Sequence, residues 1–327
     1  MINLPIPRLD KDGYLKQFLL SFSRFKKGDI WIDKKNGHKI GCFDAADSHQ
    51  VKKLMGKSKA ILAIQDPPYN LVAFDFRTPS EFVNWSKKWV ENTEKSLSKN
   101  SALYIWLGAD QTKNFQPFGE FILMMNETGF NSKSFITMRN QRGYGTQRNW
   151  MSVRQELLYY SKGKPLFNVD AGYTDIPKVL NGYYKKVKGE VKNNFDRSKS
   201  KNIRAGNVWI DIQQIFYRME ENVNGCYAQK PVKAIQRIIN SSSKENDLIV
   251  DFFSHAGTTL LASEMLNRKC FTSEIDPIYC EITLRRLERF RKSGKTGWQN
   301  SNPFEEEIKK SKKLQSYLRK KYSLRIE

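Results

Sequence analysis

Ala60-Ile61-Leu62-Ala63-Ile64-Gln65-Asp66-Pro67-Pro68-Tyr69-Asn70 is the stretch that decides the fold. Ala60–Gln65 is a nearly continuous apolar run bounded by Lys59 and by Asp66-Pro67-Pro68. Such a short run, without polar alternation, predicts a strand buried on both faces, as in a parallel sheet. The two prolines end it, because each lacks an N–H for a ladder and fixes φ. The pattern continues outward. Ser80–Leu97 reads as a helix with Phe82, Trp85, Trp89 and Val90 on one face, N-capped by Ser80 without a capping box. Ala102–Leu107 is another apolar strand, and Phe118–Thr128 is a helix stopped by Gly129. Phe135–Met138 and Glu156–Tyr160 read as further strands. Upstream, the strand His38–Phe43 ends at Asp44 before a short helix, Asp47–Met55. Downstream come helix Lys233–Asn240, strand Leu248–Phe252, helix Thr258–Asn267, strand Cys270–Ser273 and helix Asp276–Phe290. This alternation predicts an α/β fold, a doubly wound and mostly parallel sheet with helices on both faces.

The texture changes near Gly163. Residues 181–206 hold eight Lys or Arg against two acids and show no apolar periodicity. They read as a basic insertion or mobile lobe. Five segments follow: 1–37, 38–162, the insertion 163–206, 207–290, and a basic tail 291–327. In that tail Leu314, Tyr317 and Leu318 mark one amphipathic stretch; the tail supports an interface, lies on DNA or is solvated, solvation being the commonest fate of a charge run. The whole chain of 327 residues carries 56 Lys plus Arg and 34 Asp plus Glu, a net charge of +22. That surplus points to a polyanion, nucleic acid first. No run approaches the roughly 18 apolar residues of a membrane helix. The start, residues 1–14, lacks signal-peptide blocks. Cys42, Cys226, Cys270 and Cys280 form no C-x-x-C pair, and His38, His49 and His255 are scattered, so no metal is expected. The unpatterned cysteines suit a reducing cytoplasm.

Two loops lie at strand ends, where a doubly wound sheet binds its ligands. In Asp66-Pro67-Pro68-Tyr69, the prolines remove N–H donors and leave carbonyls to accept hydrogen bonds. Asp66 adds an acceptor and Tyr69 a flat ring. Such a site suits an amino group on an aromatic ring, with the ring stacked and the NH2 donating to Asp66 and the Pro67 carbonyl. In Asp251-Phe252-Phe253-Ser254-His255-Ala256-Gly257-Thr258-Thr259, Gly257 would let the backbone approach a ligand ahead of a helix N-terminus. The next strand ends at Glu274, an acid suited to a ribose diol.

Together these residues resemble the β class of DNA amino-methyltransferases, in which the catalytic loop precedes the cofactor loop. Asp66-Pro67-Pro68-Tyr69-Asn70 matches the catalytic motif, and Asp251-Phe252-Phe253 with Gly257-Thr258-Thr259 matches the S-adenosylmethionine loop. Gln229-Lys230-Pro231, Asn207-Val208-Trp209 and Glu274-Ile275-Asp276-Pro277 with Tyr279, Arg285, Arg286 and Leu287 match accompanying elements. The resemblance spans roughly residues 38–290 and implies a Rossmann-like fold. It implies that Asp66, Pro67, Pro68 and Tyr69 are catalytic. It implies that Asp44, Lys230, Pro231, Asp251, Phe252, Phe253, Ser254, His255, Gly257, Thr258, Glu274 and Asp276 hold S-adenosylmethionine. The insertion 163–206 stands where the family has its target-recognition region.

Three positions depart from the family pattern. His255 replaces the first loop glycine, where an imidazole either crowds the cofactor or stacks on it. Cys226-Tyr227-Ala228 replaces H-P-T, and Phe43 replaces the glycine before Asp44, which either contacts cofactor or caps the next helix. The implied reaction moves a methyl group to the exocyclic N6 of adenine in a flipped-out base of double-stranded DNA. Asp at the first motif position is the family's usual mark of adenine. Cytosine N4 methylation is the alternative, and a DNA-binding protein with a degenerate methyltransferase fold is another. Arg139, Gln141, Arg142, Tyr144, Gln147 and Arg148, with Lys185, Lys186 and Lys188 of the insertion, are the expected DNA contacts. The implied setting is bacterial or phage restriction–modification, with a homodimer and a cognate restriction endonuclease as further partners.

Overall fold

The computed structural model describes residues 6, 8–68, 78–108, 114–144, 150–179, 184–193, 200–216, 218–299 and 301–323. Its strands are β1 (Ile30–Ile32), β2 (Lys39–Cys42), β3 (Ala60–Gln65), β4 (Leu97–Trp106), β5 (Asn131–Tyr144), β6 (Ser152–Lys162), β7 (Tyr173–Pro177), β8 (Tyr184–Val187), β9 (Glu190–Asn193), β10 (Asn202–Arg204), β11 (Val208–Trp209), β12 (Leu248–Asp251) and β13 (Lys269–Glu274). The helices are α1 (Gly13–Leu19), α2 (Ser48–Met55), α3 (Pro79–Ser96), α4 (Phe118–Met125), α5 (Val232–Ser242), α6 (Thr258–Met265), α7 (Pro277–Ser293), α8 (Glu305–Lys310) and α9 (Lys312–Ser323).

A nine-stranded sheet in the order β1-β2-β13-β12-β3-β4-β6-β5-β11 forms the centre. From β2 through β4 the strands are parallel. β3 is buried on both faces, as its apolar continuity requires. Leu62 and Ile64 enter one core with Tyr104, Trp106, Ile235, Ile238 and Leu261. Ala63 enters the other with Leu103, Ile105, Trp89 and Phe121. The Phe135–Met138 and Glu156–Tyr160 strands are the middles of a long hairpin, β5 and β6, antiparallel to each other. No helical pattern lies between them, so the connection reverses direction rather than crossing over.

The start of α3 corrects the expected cap. Thr78, not Ser80, is the N-cap; its hydroxyl accepts the Glu81 N–H while Glu81 reaches back to the Thr78 N–H, with Pro79 in the first turn. This is the capping box that Ser80 could not supply. The insertion also holds structure that its polarity hid. β7 pairs with β10 and β8 with β9, both antiparallel. Lys188 and Gly189, both at positive φ, turn the β8–β9 hairpin. Lys186, Val187, Glu190 and Val191 are all exposed, so no apolar alternation marks the pair.

The C-terminal tail is not solvated throughout. Trp298, Phe304, Ile308, Leu314 and Leu318 pack with Ile6, Leu9, Leu15 and Leu19 and with Ile278 and Ile282 of α7. Asp12 caps α1 through the Leu15 N–H and accepts the Tyr317 hydroxyl at 2.8 Å, locking the two ends together. Among the described residues no helix is long and apolar enough to cross a membrane.

Candidate active site

The carboxyl ends of β3 and β12 are neighbours in the sheet, which brings the two sequence-distant loops to one edge. Gln65, fully buried, closes the apolar strand and joins them. Its side chain accepts the Phe252 N–H at 2.9 Å, 187 positions away, and donates to Thr93 Oγ1 of α3 at 3.2 Å. Asp66 follows. Its Oδ2 lies 2.8 Å from Lys230 Nζ; the Lys230 side chain is 8% exposed and that of Asp66 23%. The Lys230 ammonium also stands 5.1 Å from the centre of the buried Trp106 ring. Pro67 is buried, Pro68 half-buried, and Tyr69 lies outside the described residues.

Lys230 is held by its neighbours. Gln229 accepts the Val223 N–H at 2.9 Å and donates to the Glu221 carbonyl at 2.8 Å. Pro231 is the N-cap position of α5, and the Glu221 carboxylate accepts the Val232 N–H there. The lysine read as a cofactor contact therefore stands on the carboxylate of the other loop.

In the second loop, Asp251 is buried and accepts the Phe253 N–H at 2.9 Å. Burial pushes its carboxyl up to about 7. Phe252 is core, and Phe253 sits edge-on to Trp85 and Trp89 of α3 at 5.8 and 5.2 Å. The Ser254 hydroxyl meets Thr283 Oγ1 at 2.9 Å. His255 adopts φ +44° with its ring 4.9 Å from Tyr279, and burial pushes the imidazole down to about 4, so it is neutral at pH 7. Its N–H goes to Glu274 Oε2 at 2.9 Å. Glu274 Oε1 takes the Ile275 and Asp276 N–H groups, and burial pushes the carboxyl up to about 7.

Gly257 lies against α7. It is left-handed, φ +72°, and a Cβ there would come within 2.9 Å of Thr283 Cγ2 and 3.0 Å of Thr283 Cα. The packing of α7 against the loop by itself requires glycine at this position. Thr258 Oγ1 accepts from Arg286 at 2.9 Å. Asp276 caps α7 through the Ile278 N–H and pairs with Lys16. Asp44 does not cap α2, a task Asp47 performs. It accepts the Ala46 N–H at 2.9 Å and the Trp85 indole N–H at 3.4 Å. The glycine near it is Gly41, whose missing side chain admits the buried Phe43 ring.

The expected DNA contacts are dispersed. Arg139 is exposed on β5 opposite Arg154, where the hairpin runs past the edge carrying Asp66. Gln141, Arg142 and Tyr144 lie on the same strand, while Gln147 and Arg148 fall outside the described residues. Lys185 and Lys186 lie on β8, and Lys188 is in its turn. Sequence reasoning gave no role to Gln65 or Arg286. A polar residue closing an apolar strand was the available signal for Gln65. Nothing marked Arg286 as a bridge.

Glu274 carries a pH prediction. Its folded carboxyl titrates near 7, above the unfolded value, so between about pH 4.5 and 7 the folded protein binds the extra proton. Its contribution to stability is full below that window and is lost as pH rises through it. His255 acts oppositely, since its depressed value makes the unfolded chain bind more protons below about 6.5. Glu274→Gln isolates the first effect. Between pH 5 and 7.5 the variant should gain about 2 kcal/mol on the wild type. Thermal scans across that range check it, and parallel curves for the two proteins would remove Glu274 as the titrating group.

A family model described as DNA methylase, of the N6/N4 methyltransferase type, matches residues 61–285. The chain is 30% identical to type II methyltransferase M1.MboII of Moraxella bovis over 77% of its own length and 96% of that relative. It is 28% identical to type II methyltransferase M.BamHI of Bacillus amyloliquefaciens over 70% of its length, spanning about half (53%) of that relative. Among solved structures, PvuII DNA methyltransferase (cytosine-N4-specific) superposes with TM-score 0.56 at 17% identity, over 76% of this chain and 85% of that one. The putative DNA modification methylase TTHA0409 of Thermus thermophilus, complexed with S-adenosyl-L-methionine, gives 0.51 at 16%, over 78% and 94%. At these identities the structural likeness establishes the fold. The family model, covering the sheet edge with both loops, establishes more: this chain belongs to the DNA methylase family.

Proposed function

We propose that the protein is an S-adenosylmethionine-dependent DNA methyltransferase acting on the exocyclic N6 of adenine. The observation that carries the reading is the meeting of Asp66-Pro67 with the 252–257 loop at one sheet edge, joined through Gln65. S-adenosylmethionine would present two cationic centres, a carboxylate, a ribose diol and a flat adenine. The residues fit that set: Asp66, Glu274 and Asp44 are acidic, Phe253 and Trp85 are aromatic, and Lys230 is the cation suited to a carboxylate. When bound, the cofactor supplies an electrophilic methyl group.

The chain's own residues do the rest. An exocyclic ring amine is a poor nucleophile because its lone pair is shared with the ring. Asp66 and the Pro67 carbonyl accept its two N–H groups, which localises the lone pair on nitrogen. Asp66 takes the proton that the nitrogen sheds as the new N–C bond forms. Lys230 on Oδ2 fixes the plane of that carboxylate. Tyr69 stacks on the flipped base and offsets part of its unstacking. Arg139, Gln141, Arg142 and Tyr144 of β5, with Gln147 and Arg148, and Lys185, Lys186 and Lys188 of the 163–206 target-recognition region, meet the DNA. The net charge of +22 supports a phosphate-tracking surface. The setting we infer is a bacterial or phage restriction–modification system in the cytoplasm, with a homodimer and a cognate endonuclease as partners.

The test uses purified protein, unmethylated genomic DNA and methyl-labelled S-adenosylmethionine, followed by digestion to nucleosides and mass spectrometry. The expected product is labelled N6-methyladenine. N4-methylcytosine would keep the mechanism and overturn the base. Absence of label together with absence of cofactor binding by calorimetry would overturn the enzyme reading.

A further inference from the structure

A large concavity lies away from the Asp66 edge. It is a cavity of about 600 Å³ between the β4–β6–β5 face, α5 and the two ends of the insertion. That volume is in the range of small-ligand sites, roughly 300–1,000 Å³. Its floor is aromatic. Tyr104 and Tyr159 stack at 4.5 Å with rings 5° from parallel, and Phe167 continues the stack at 6.0 Å, itself 46% exposed. Its charged lining is of one sign: Lys133, Lys164, Arg204 and Arg237, with no Asp or Glu among the described lining residues. Arg237 is neutralised by Asp211 at 2.6 Å. Lys133, Lys164 and Arg204 are exposed at the rim, with no acidic partner among the described residues. Burial raises both phenols, so the floor adds no negative charge.

The wall is preformed. The Lys164 N–H binds Asn100 Oδ1 at 2.9 Å, the Asn168 N–H binds the Ser241 carbonyl at 2.7 Å, and the Ala205 N–H binds the Gly172 carbonyl at 2.6 Å. Gly163, φ +61°, turns the chain out of β6 where a Cβ would strike Asn100 and the Lys99 carbonyl. A stack of rings ending in an open cavity receives another flat ring, and an Arg–Lys rim receives phosphate. We propose that this cavity binds a nucleotide, its base continuing the Tyr104–Tyr159–Phe167 stack and its phosphate meeting Arg204 and Lys164. The nucleotide is either free or one unit of a DNA strand.

The experiment titrates the full chain calorimetrically with thymidine 5′-monophosphate, which lacks both the adenine of the cofactor and the amino group suited to Asp66. Thymidine and inorganic phosphate are titrated separately. We expect the nucleotide to bind at least ten-fold tighter than either fragment. Phe167→Ala and Arg204→Glu should each weaken it ten-fold or more, with S-adenosylhomocysteine failing to displace it. A pentathymidylate binding ten-fold tighter still identifies the DNA strand as the source; equal affinity identifies the free nucleotide. Binding no better than the fragments, indifference to both substitutions, or displacement by S-adenosylhomocysteine overturns the proposal.

Discussion

Asp66→Ala should abolish methyl transfer, with kcat down by at least 10²–10³-fold, the effect of removing one preorganised hydrogen-bonding group at a reacting centre. The loss should exceed that figure if Asp66 also receives the proton. Non-specific DNA affinity, read by fluorescence anisotropy, should stay within about two-fold, because an acid removed from a basic surface takes no phosphate contact with it. One confounder is built into the site. Asp66 is the ion-pair partner of Lys230, whose side chain is 8% exposed, so the truncation leaves a buried ammonium behind. Breaking a buried pair on one side can destabilise by about 3–5 kcal/mol, less here because Asp66 is partly solvated. Asp66→Ala combined with Lys230→Met removes both charges. It should recover much of the lost Tm and none of the lost turnover. Recovery of turnover with Tm would mean that Asp66 is structural, and a normal rate in Asp66→Ala alone would end the acceptor mechanism.

The sheet was legible because its central strands are short apolar runs bounded by breakers, and β3, β4, β12 and β13 form where those runs lie. The edge holding Asp66 and the 252–257 loop was legible for the same reason, since both loops follow such strands. What escaped depended on contacts between distant segments. Nothing local says that Lys230 reaches Asp66, because the turn that aims it is fixed by Gln229 and Glu221 bonds made in the folded chain. Gly257 was readable as a special backbone position. Its close packing against Thr283, on another helix, was not readable. The packing of the tail was only partly legible because its charges outnumber the apolar positions, although Leu314 and Leu318, one turn apart, help to anchor α9. The β8–β9 pair escaped for the opposite reason: exposed strands carry no burial pattern to read.

Arg286→Met should be the most destabilising single change near the 252–257 loop. Arg286 is fully buried, and its guanidinium joins three segments of the chain, around residues 221, 256–258 and 296. It donates to the Ala256 carbonyl and Thr258 Oγ1 at 2.9 Å, to the Thr296 carbonyl at 2.6 Å and to the Glu221 carbonyl at 3.3 Å. The Glu221 carbonyl also receives Gln229, the residue beside Lys230, so this one side chain links the second loop to the Lys230–Asp66 pair. Methionine matches much of the stem but supplies no donor, and each orphaned acceptor costs on the order of 1 kcal/mol. Relief of the buried charge opposes this; burial already pushes the guanidinium down to about 10. The acceptors outnumber the one charge, so the net loss should be about 2–4 kcal/mol, a fall in Tm of roughly 3–6 °C. Arg286→Lys decides between charge and geometry. A lysine keeps the cation but presents a compact ammonium instead of a planar fork, so it cannot span the carbonyls of residues 221, 256 and 296 together. If the fork matters, Arg286→Lys should fall nearly as far as Arg286→Met in thermal scans, with S-adenosylhomocysteine affinity lost in both. Wild-type stability and affinity in the lysine variant would show that positive charge alone holds the loop.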